Sequence, residues 1–264
     1  MFIKHFLLAI QFFTRIPITG KLAAWVGYNP EMLKSSAAHF AGVGWVVGAV
    51  AAGVYVALES IISSPYAPLI AACFSTIATV LLTGGFHEDG LADLADGLGG
   101  SYDRNRALEI MKDSRIGAFG AMALVLALLT KIALLAALGE LPLMHVALLI
   151  WASHCVSRAL PMLTVALLPH VGDAGGSKSK PLADQINSQA LWSNFLWCFI
   201  PLAGIYTAWN AIELIVIVGC SVVAWGIMRW RLKQRLQGFT GDALGATQQV
   251  CEIAFLLGAV AVGL

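Results

Sequence analysis

The sequence predicts an all-α fold: a polytopic integral membrane helix bundle of about seven transmembrane helices, preceded by an amphipathic or re-entrant N-terminal helix. Three observations lead there. Hydrophobic residues make up 59% of the 264 and charged residues only 12%, where a soluble chain carries roughly 25% charged. Mean hydropathy is +0.80, and a soluble domain so apolar cannot cover its surface with polar groups. Apolar runs of about 20 residues, the length that crosses a bilayer, recur along the whole chain, separated by loops that alternate between Lys/Arg-rich and Lys/Arg-free.

Taken in order, the first element is the stretch from Met1 to Ile18, an apolar run behind Lys4 and His5. It is followed by Thr14-Arg15-Ile16-Pro17 rather than by small residues, so it reads as a retained helix and not as a cleaved leader. Seven spanning segments follow at 41–62, 66–85, 117–138, 143–168, 190–209, 211–228 and 244–264. Gly42, Gly44, Gly48 and Gly53 sit inside the first. Small residues let membrane helices approach closely, which suits a packed bundle and also allows association into a homo-oligomer. The chain reads as one membrane-embedded domain over 1–264.

The loops set the orientation. The 86–116 loop carries Arg104, Arg106, Lys112 and Arg115, the 169–189 loop Lys178 and Lys180, and the 229–243 loop Arg229, Arg231, Lys233 and Arg235. The turns at 63–65, at 139–142 and near 210 carry no Lys or Arg. Basic residues stay on the cytoplasmic side. The N-terminus and all three long loops are therefore expected in the cytoplasm and the C-terminus outside, in a multi-pass protein of the cytoplasmic (inner) membrane. A net charge of +1 gives no nucleic-acid footprint. Cys73, Cys155, Cys198, Cys220 and Cys251 are widely spaced in apolar stretches, which argues for packing rather than zinc or disulfides.

The strongest chemical signal runs from Gly84 to Gly97, Gly-Gly-Phe-His-Glu-Asp-Gly-Leu-Ala-Asp-Leu-Ala-Asp-Gly. Asp93 and Asp96 follow Asp89 by four and seven residues, so on a helix the three share a face. Carboxylates so placed repel unless a cation lies between them, and hard oxygen donors suit Mg²⁺, Mn²⁺ or Ca²⁺. Glu88 lies about 100° around the helix and is a secondary metal candidate. A solvated polar turn is the plain alternative, but acids beside lipid are costly and tend to be functional.

The second signal spans Asp103-Arg104 and Lys112-Asp113-Ser114-Arg115. Lys and Arg here are candidate phosphate ligands, although anchoring at the membrane surface explains Arg106 equally well. The third is Thr240-Gly241-Asp242, where a helix cap and a metal ligand are equal alternatives. Arg158 lies in mid-span, as a pyrophosphate ligand or as the partner of a buried acid such as Glu252. His154 reads as a packed histidine, and Lys131, Glu59 and Glu213 as snorkelling side chains.

Together the motifs Gly84-Gly85-Phe86-His87-x-Asp89-Gly90-Leu91-Ala92-Asp93-x-x-Asp96-Gly97, Glu109-Ile110-Met111-Lys112-Asp113-Ser114-Arg115-x-Gly117 and Thr240-Gly241-Asp242-x-Leu244-Gly245-Ala246 resemble the cobalamin synthase family, the adenosylcobinamide-GDP ribazoletransferases. The opening Gln11-Phe12-Phe13-Thr14-Arg15-Ile16-Pro17 is similar to that family as well. The 169–178 loop departs from it, lacking the arginine that many members carry there. The resemblance implies a Mg²⁺-dependent phosphotransferase with adenosylcobinamide-GDP as donor, α-ribazole or its 5′-phosphate as acceptor, and the lipid bilayer as its setting.

Within that chemistry Asp89, Asp93, Asp96 and Asp242 are the expected metal ligands, and Asp96 and Asp113 the catalytic carboxylates. His87, Arg104, Lys112, Ser114, Arg115, Arg158 and Thr240 are the expected substrate and phosphate contacts. Two other readings remain. The first is a CDP-alcohol phosphotransferase, whose D-x-x-D-G-x-x-A-R motif Asp93-x-x-Asp96-Gly97 opens but does not complete. The second is a transporter with an acidic ion site, for which midplane acids and an inverted repeat are wanting.

Overall fold

The computed structural model describes residues 2–172 and 186–263. Among them every regular element is a helix, as expected. The amphipathic N-terminal helix α1 (Phe2–Phe13) buries Leu8, Ala9, Ile10 and Phe13 and leaves Phe2 and Ile3 outside. Two short helices, α2 (Gly20–Val26) and α3 (Pro30–Ser36), and the 3-10 turn Ala37–His39 lead into α4 (Phe40–Ile61). Then come α5 (Ala67–Thr83), α6 (Phe86–Gly100), α7 (Arg104–Ile110), α8 (Ala118–Ala137), α9 (Leu143–Ala159) and α10 (Pro161–Leu167). Beyond the undescribed stretch lie α11 (Ser188–Leu196), α12 (Phe199–Ala208), α13 (Ala211–Arg235) and α14 (Gly241–Gly263).

Six helical stretches are long and apolar enough to cross a membrane, and the bent pair α5–α6 makes a seventh. The outer helices are the most lipid-like. On α8, Val125, Leu126 and Leu129 are exposed, and on α13, Ile215, Val223 and Ile227. An apolar surface on that scale needs lipid rather than water. The inner helices α4, α9 and α14 carry the core, with Val47, Ala51, Leu149, Ala152, Phe255 and Leu256 fully buried.

Three boundaries differ from the sequence reading. The 86–116 region is not an open loop but the two helices α6 and α7. The basic run at 229–235 is the last part of α13, so its Lys and Arg lie at a helix C-terminus, where cations are favoured. The 190–209 span is broken at Trp197-Cys198 into α11 and α12.

The basic regions around Arg104 and Arg235 nevertheless meet at one end, with residues 169–171 beside them. Arg104 donates to the Leu236 carbonyl (2.7 Å), and Arg235 to those of Leu98 (3.1 Å) and Ser101 (2.6 Å). Phe239 and His170 form a parallel bridge, with Phe239 N–H to Pro169 at 3.0 Å and Val171 N–H to Phe239 at 2.9 Å. Residues 173–185 of the expected 169–189 loop, with Lys178 and Lys180, lie outside the described residues. At the opposite end the Tyr55 hydroxyl donates to Leu135 (3.2 Å), and Gly139 lies against Pro68.

Candidate active site

Gly84 and Gly85 are both left-handed, at φ 70° and 71°, and the chain turns through 89° between α5 and α6. Glycine takes this conformation without a Cβ clash. The Gly84 and Gly85 amides donate back to Leu81 and Val80, closing α5 in the usual glycine-capped way. The bend lays α6 across the axis of α5, outside the spanning helices. Its acids are thus carried at the end of the bundle where the basic regions meet.

On α6, Asp89 is exposed, Asp93 half-buried and Asp96 buried. Asp242, in the first turn of α14, is brought up by close contact between the two helices. A Cβ on Gly90 would stand 2.7 Å from the Asp242 carbonyl oxygen, so only glycine permits this approach. Thr240 is buried before the helix, accepts from the Ala243 amide (3.2 Å) and donates to the Asp242 carboxylate. Its role is to cap α14 and hold Asp242, which corrects the expectation of a substrate contact. Burial, followed by the charges of Asp89, Asp242 and Asp96, pushes the Asp93 carboxyl up to about 7. That upward push is what crowded, unneutralised carboxylates produce.

Asp96 is engaged elsewhere. Its two carboxylate oxygens accept the amides of Gly117 (2.7 Å) and Gly120 (2.8 Å) at the start of α8. Its oxygens come so close to both glycines that a Cβ at either would collide with them. The expected roles of base and metal ligand are corrected by this geometry: Asp96 is an anion at a helix N-terminus, pinning α8 to α6. Among the described residues no group of three or more His, Cys, Asp or Glu side chains converges on a common metal position. The donor set Asp89, Asp93 and Asp242 has the chemistry of a hard-cation site, and the repulsion at Asp93 is what such a cation would relieve.

Basic groups lie beside these acids in the chain. Arg115 and Asp113 form an exposed bidentate pair, with Nη2–Oδ2 at 2.6 Å and Nε–Oδ1 at 3.0 Å. Hydrogen bonds from Arg115 hold the Asp113 carboxyl down at about 2. Expected as a catalytic carboxylate, it is seen here orienting Arg115. Lys112 and Ser114 are exposed on the same loop. Arg104 ties the turn before α7 to Leu236 and also reaches Asn105 (3.3 Å), a structural engagement in place of the expected phosphate contact.

The remaining expected contacts are sealed inside. His87 is 1% exposed and stacks on Phe40 at 5.8 Å between ring centroids. Glu88 turns inward and accepts from Gln249 (2.9 Å) instead of joining the aspartates. Arg158, 2% exposed, donates to the His154 carbonyl and meets His154 Nδ1, both at 3.1 Å. None of the three is open to a substrate in this conformation.

They belong to a buried polar network on α6, α8, α9 and α14, in which Arg158 interacts with Glu252 as one of the two sequence alternatives had it, and whose linking glutamines sequence reasoning missed. Gln249 donates to Gln248 (3.0 Å). Gln248 donates to Ser157 (3.0 Å) and Glu252 (2.6 Å), and Glu252 pairs with Lys131 at 2.5 Å. Lys131 is 2% exposed and does not snorkel as expected, because an anion waits for it inside. The available signal was Gln248 and Glu252, one helical turn apart on an apolar span.

A bundle of spanning helices, with crowded carboxylates and an oriented arginine at one end, defines a polytopic membrane protein suited to phosphate chemistry. The chain belongs to the cobalamin-5-phosphate synthase family, whose sequence model matches residues 5–260. Among its curated relatives, a protein of Polaromonas naphthalenivorans named adenosylcobinamide-GDP ribazoletransferase is 60% identical over 97% of both chains. One of the same name from Albidiferax ferrireducens is 55% identical over 100% of this chain and 99% of its own, and one from Vibrio cholerae 41% identical over 97% and 92%. No solved structure matches the chain significantly.

Proposed function

We propose that the enzyme joins α-ribazole, or its 5′-phosphate, to adenosylcobinamide-GDP. GMP is released and adenosylcobalamin, or its 5′-phosphate, is formed, the step that completes the nucleotide loop of vitamin B12. The observation that carries this reading is the 60% identity, over 97% of both chains, to a relative named adenosylcobinamide-GDP ribazoletransferase. In the reaction a ribazole hydroxyl attacks the phosphorus attached to cobinamide. The bond from that phosphorus to the GMP oxygen breaks, and the hydroxyl proton passes to a carboxylate.

Asp89, Asp93 and Asp242 are the residues that would hold Mg²⁺ or Mn²⁺. Such an ion neutralises the pyrophosphate and orients the reacting groups. Arg115, held by Asp113, presents its guanidinium to the leaving phosphate, with Lys112 beside it in the chain. A carboxylate of this acidic end takes the hydroxyl proton. The cytoplasmic membrane is the proposed setting, with the acid-bearing end and the N-terminus in the cytoplasm and the C-terminus outside.

The test is turnover by the purified protein in detergent, supplied with adenosylcobinamide-GDP, α-ribazole and Mg²⁺, beside a sample in EDTA. GMP and a complete corrinoid should appear together, and only with metal. A folded, metal-loaded protein that makes neither would overturn the substrate assignment. Turnover undiminished in EDTA would overturn the metal.

A further inference from the structure

A cavity of about 770 Å³ lies outside the acidic site, between α1, α3 and the start of α11. Its volume is that of a small-ligand pocket, enough for a nucleoside phosphate; a corrinoid carrying a nucleotide is several times larger. The lining is chemically selective. Lys34 contributes a positive charge to the wall. Asn187 and Ser193 add polar groups, and the rings of Phe2, His5 and His39 add aromatic walls. His39 is 3% exposed, and its Nδ1 accepts the indole N–H of Trp197 (3.3 Å). Its proton is thereby fixed on Nε2, making the ring a hydrogen-bond donor at the cavity wall.

The cavity is one turn of chain away from the acids. Ala38 and His39 line it, while Ala37 and Phe40, on the other side of the same short turn, face the beginnings of α6 and α14 at His87 and Gly241. Each of those helices carries a site aspartate within its first turn or so, Asp89 and Asp242.

We propose that this cavity receives the acceptor, a 5′-phosphorylated heteroaromatic nucleoside, with its phosphate on Lys34 and its base among the Phe2, His5 and His39 rings. A lysine ammonium suits a phosphate monoester, and aromatic walls suit a flat heterocycle. The donor's pyrophosphate is then left to the aspartates and Arg115. This inference rests on the transferase reading for the identity of the nucleoside.

Binding and turnover are measured separately. Binding of α-ribazole 5′-phosphate to the purified protein is followed by calorimetry in EDTA, where no chemistry occurs. Turnover is followed with Mg²⁺ and either the phosphorylated or the free acceptor. Lys34→Met, an exposed position, should weaken binding of the phosphorylated acceptor and raise its KM at least about tenfold, as loss of a charge-assisted contact does. The KM values for free α-ribazole and for adenosylcobinamide-GDP should stay within about twofold of wild type. Gln189→Trp, on the exposed rim, should weaken both acceptors about tenfold by filling the cavity.

Wild-type binding that Lys34→Met abolishes, without turnover, would keep the subsite and overturn the transferase reading. Turnover with no effect of either variant, an equal effect of Lys34→Met on both acceptors, or a changed donor KM would overturn the subsite.

Discussion

Asp93 concentrates the chemistry of the acidic end into one side chain. With its proton affinity raised to about 7 by burial and by three neighbouring acids, it is largely protonated below that pH and ionised above it. A cation binding there below pH 7 must displace the proton, so apparent metal affinity should rise with pH and level off above 7. The Mg²⁺ concentration giving half-maximal turnover should be about tenfold higher at pH 6 than at pH 8, read from activity titrations at the two values. Linkage has the same sign: between the ordinary carboxylate range and pH 7 the metal-free fold holds a proton that the unfolded chain has lost, so its stability declines as pH rises. Asp113 behaves in the opposite way. Ionised above about 2, it contributes no limb to a pH profile around neutrality, and Asp113→Asn should alter KM through Arg115 without moving the profile.

Between elements, the contact of α6 with α8 combines a buried carboxylate with apolar packing of Phe119 on Gly99. Asp96→Ala removes the acceptor for the Gly117 and Gly120 amides. The expected destabilisation is about 1–2 kcal/mol, that of a lost helix cap, seen as a lower melting temperature in detergent. Asp96→Asn, which keeps one acceptor, should recover part of it. An unchanged melt in Asp96→Ala would deny the cap. This is also where sequence and structure part. The spacing of Asp89, Asp93 and Asp96 put three acids on one helical face, and α6 is that helix. Spacing alone carries no information about the neighbour packed on each turn. The Gly117-x-x-Gly120 start of α8 takes one acid away from the other two, and the Gly90 contact brings Asp242 in from the far end of the sequence. Spans and basic loops were legible because hydropathy and charge are local properties. Glu88, His87 and Arg158 were misread because the Gln248 and Gln249 side chains that organise the interior come from another helix.

For the molecule as a whole, two structural supports can be tested. The first is the buried network. Lys131 and Glu252, 2% and 1% exposed, stabilise the bundle only as a pair. Lys131→Met leaves an uncompensated anion in the interior and should destabilise by about 3–5 kcal/mol. Lys131→Met combined with Glu252→Gln should cost less than the sum of the two single changes, since the Lys131–Glu252 pair is lost only once, while Arg158 in both Glu252 variants loses a buried anion. Additive losses would mean that the two side chains are not coupled. The second is topology. The basic regions around Arg104 and Arg235 meet at one end, so a reporter fused after Leu264 should be active only as a periplasmic enzyme, and one inserted at Asn105 only as a cytoplasmic one. The reverse pattern would invert the bundle.

The right-angle turn at Gly84-Gly85 also fixes how deep the chemistry sits. Helix α5 has 17 residues, about 26 Å at 1.5 Å per residue, while the hydrocarbon layer is about 30 Å thick. A span that stops short places whatever follows it below the headgroups, unless the bilayer thins to meet it. The acidic helix is therefore expected at the rim of the oily layer, where a locally thinned bilayer would open it to water and ions. Membrane thickness becomes a control on catalysis: turnover in vesicles of short-chain lipid should exceed that in long-chain lipid at equal substrate and metal.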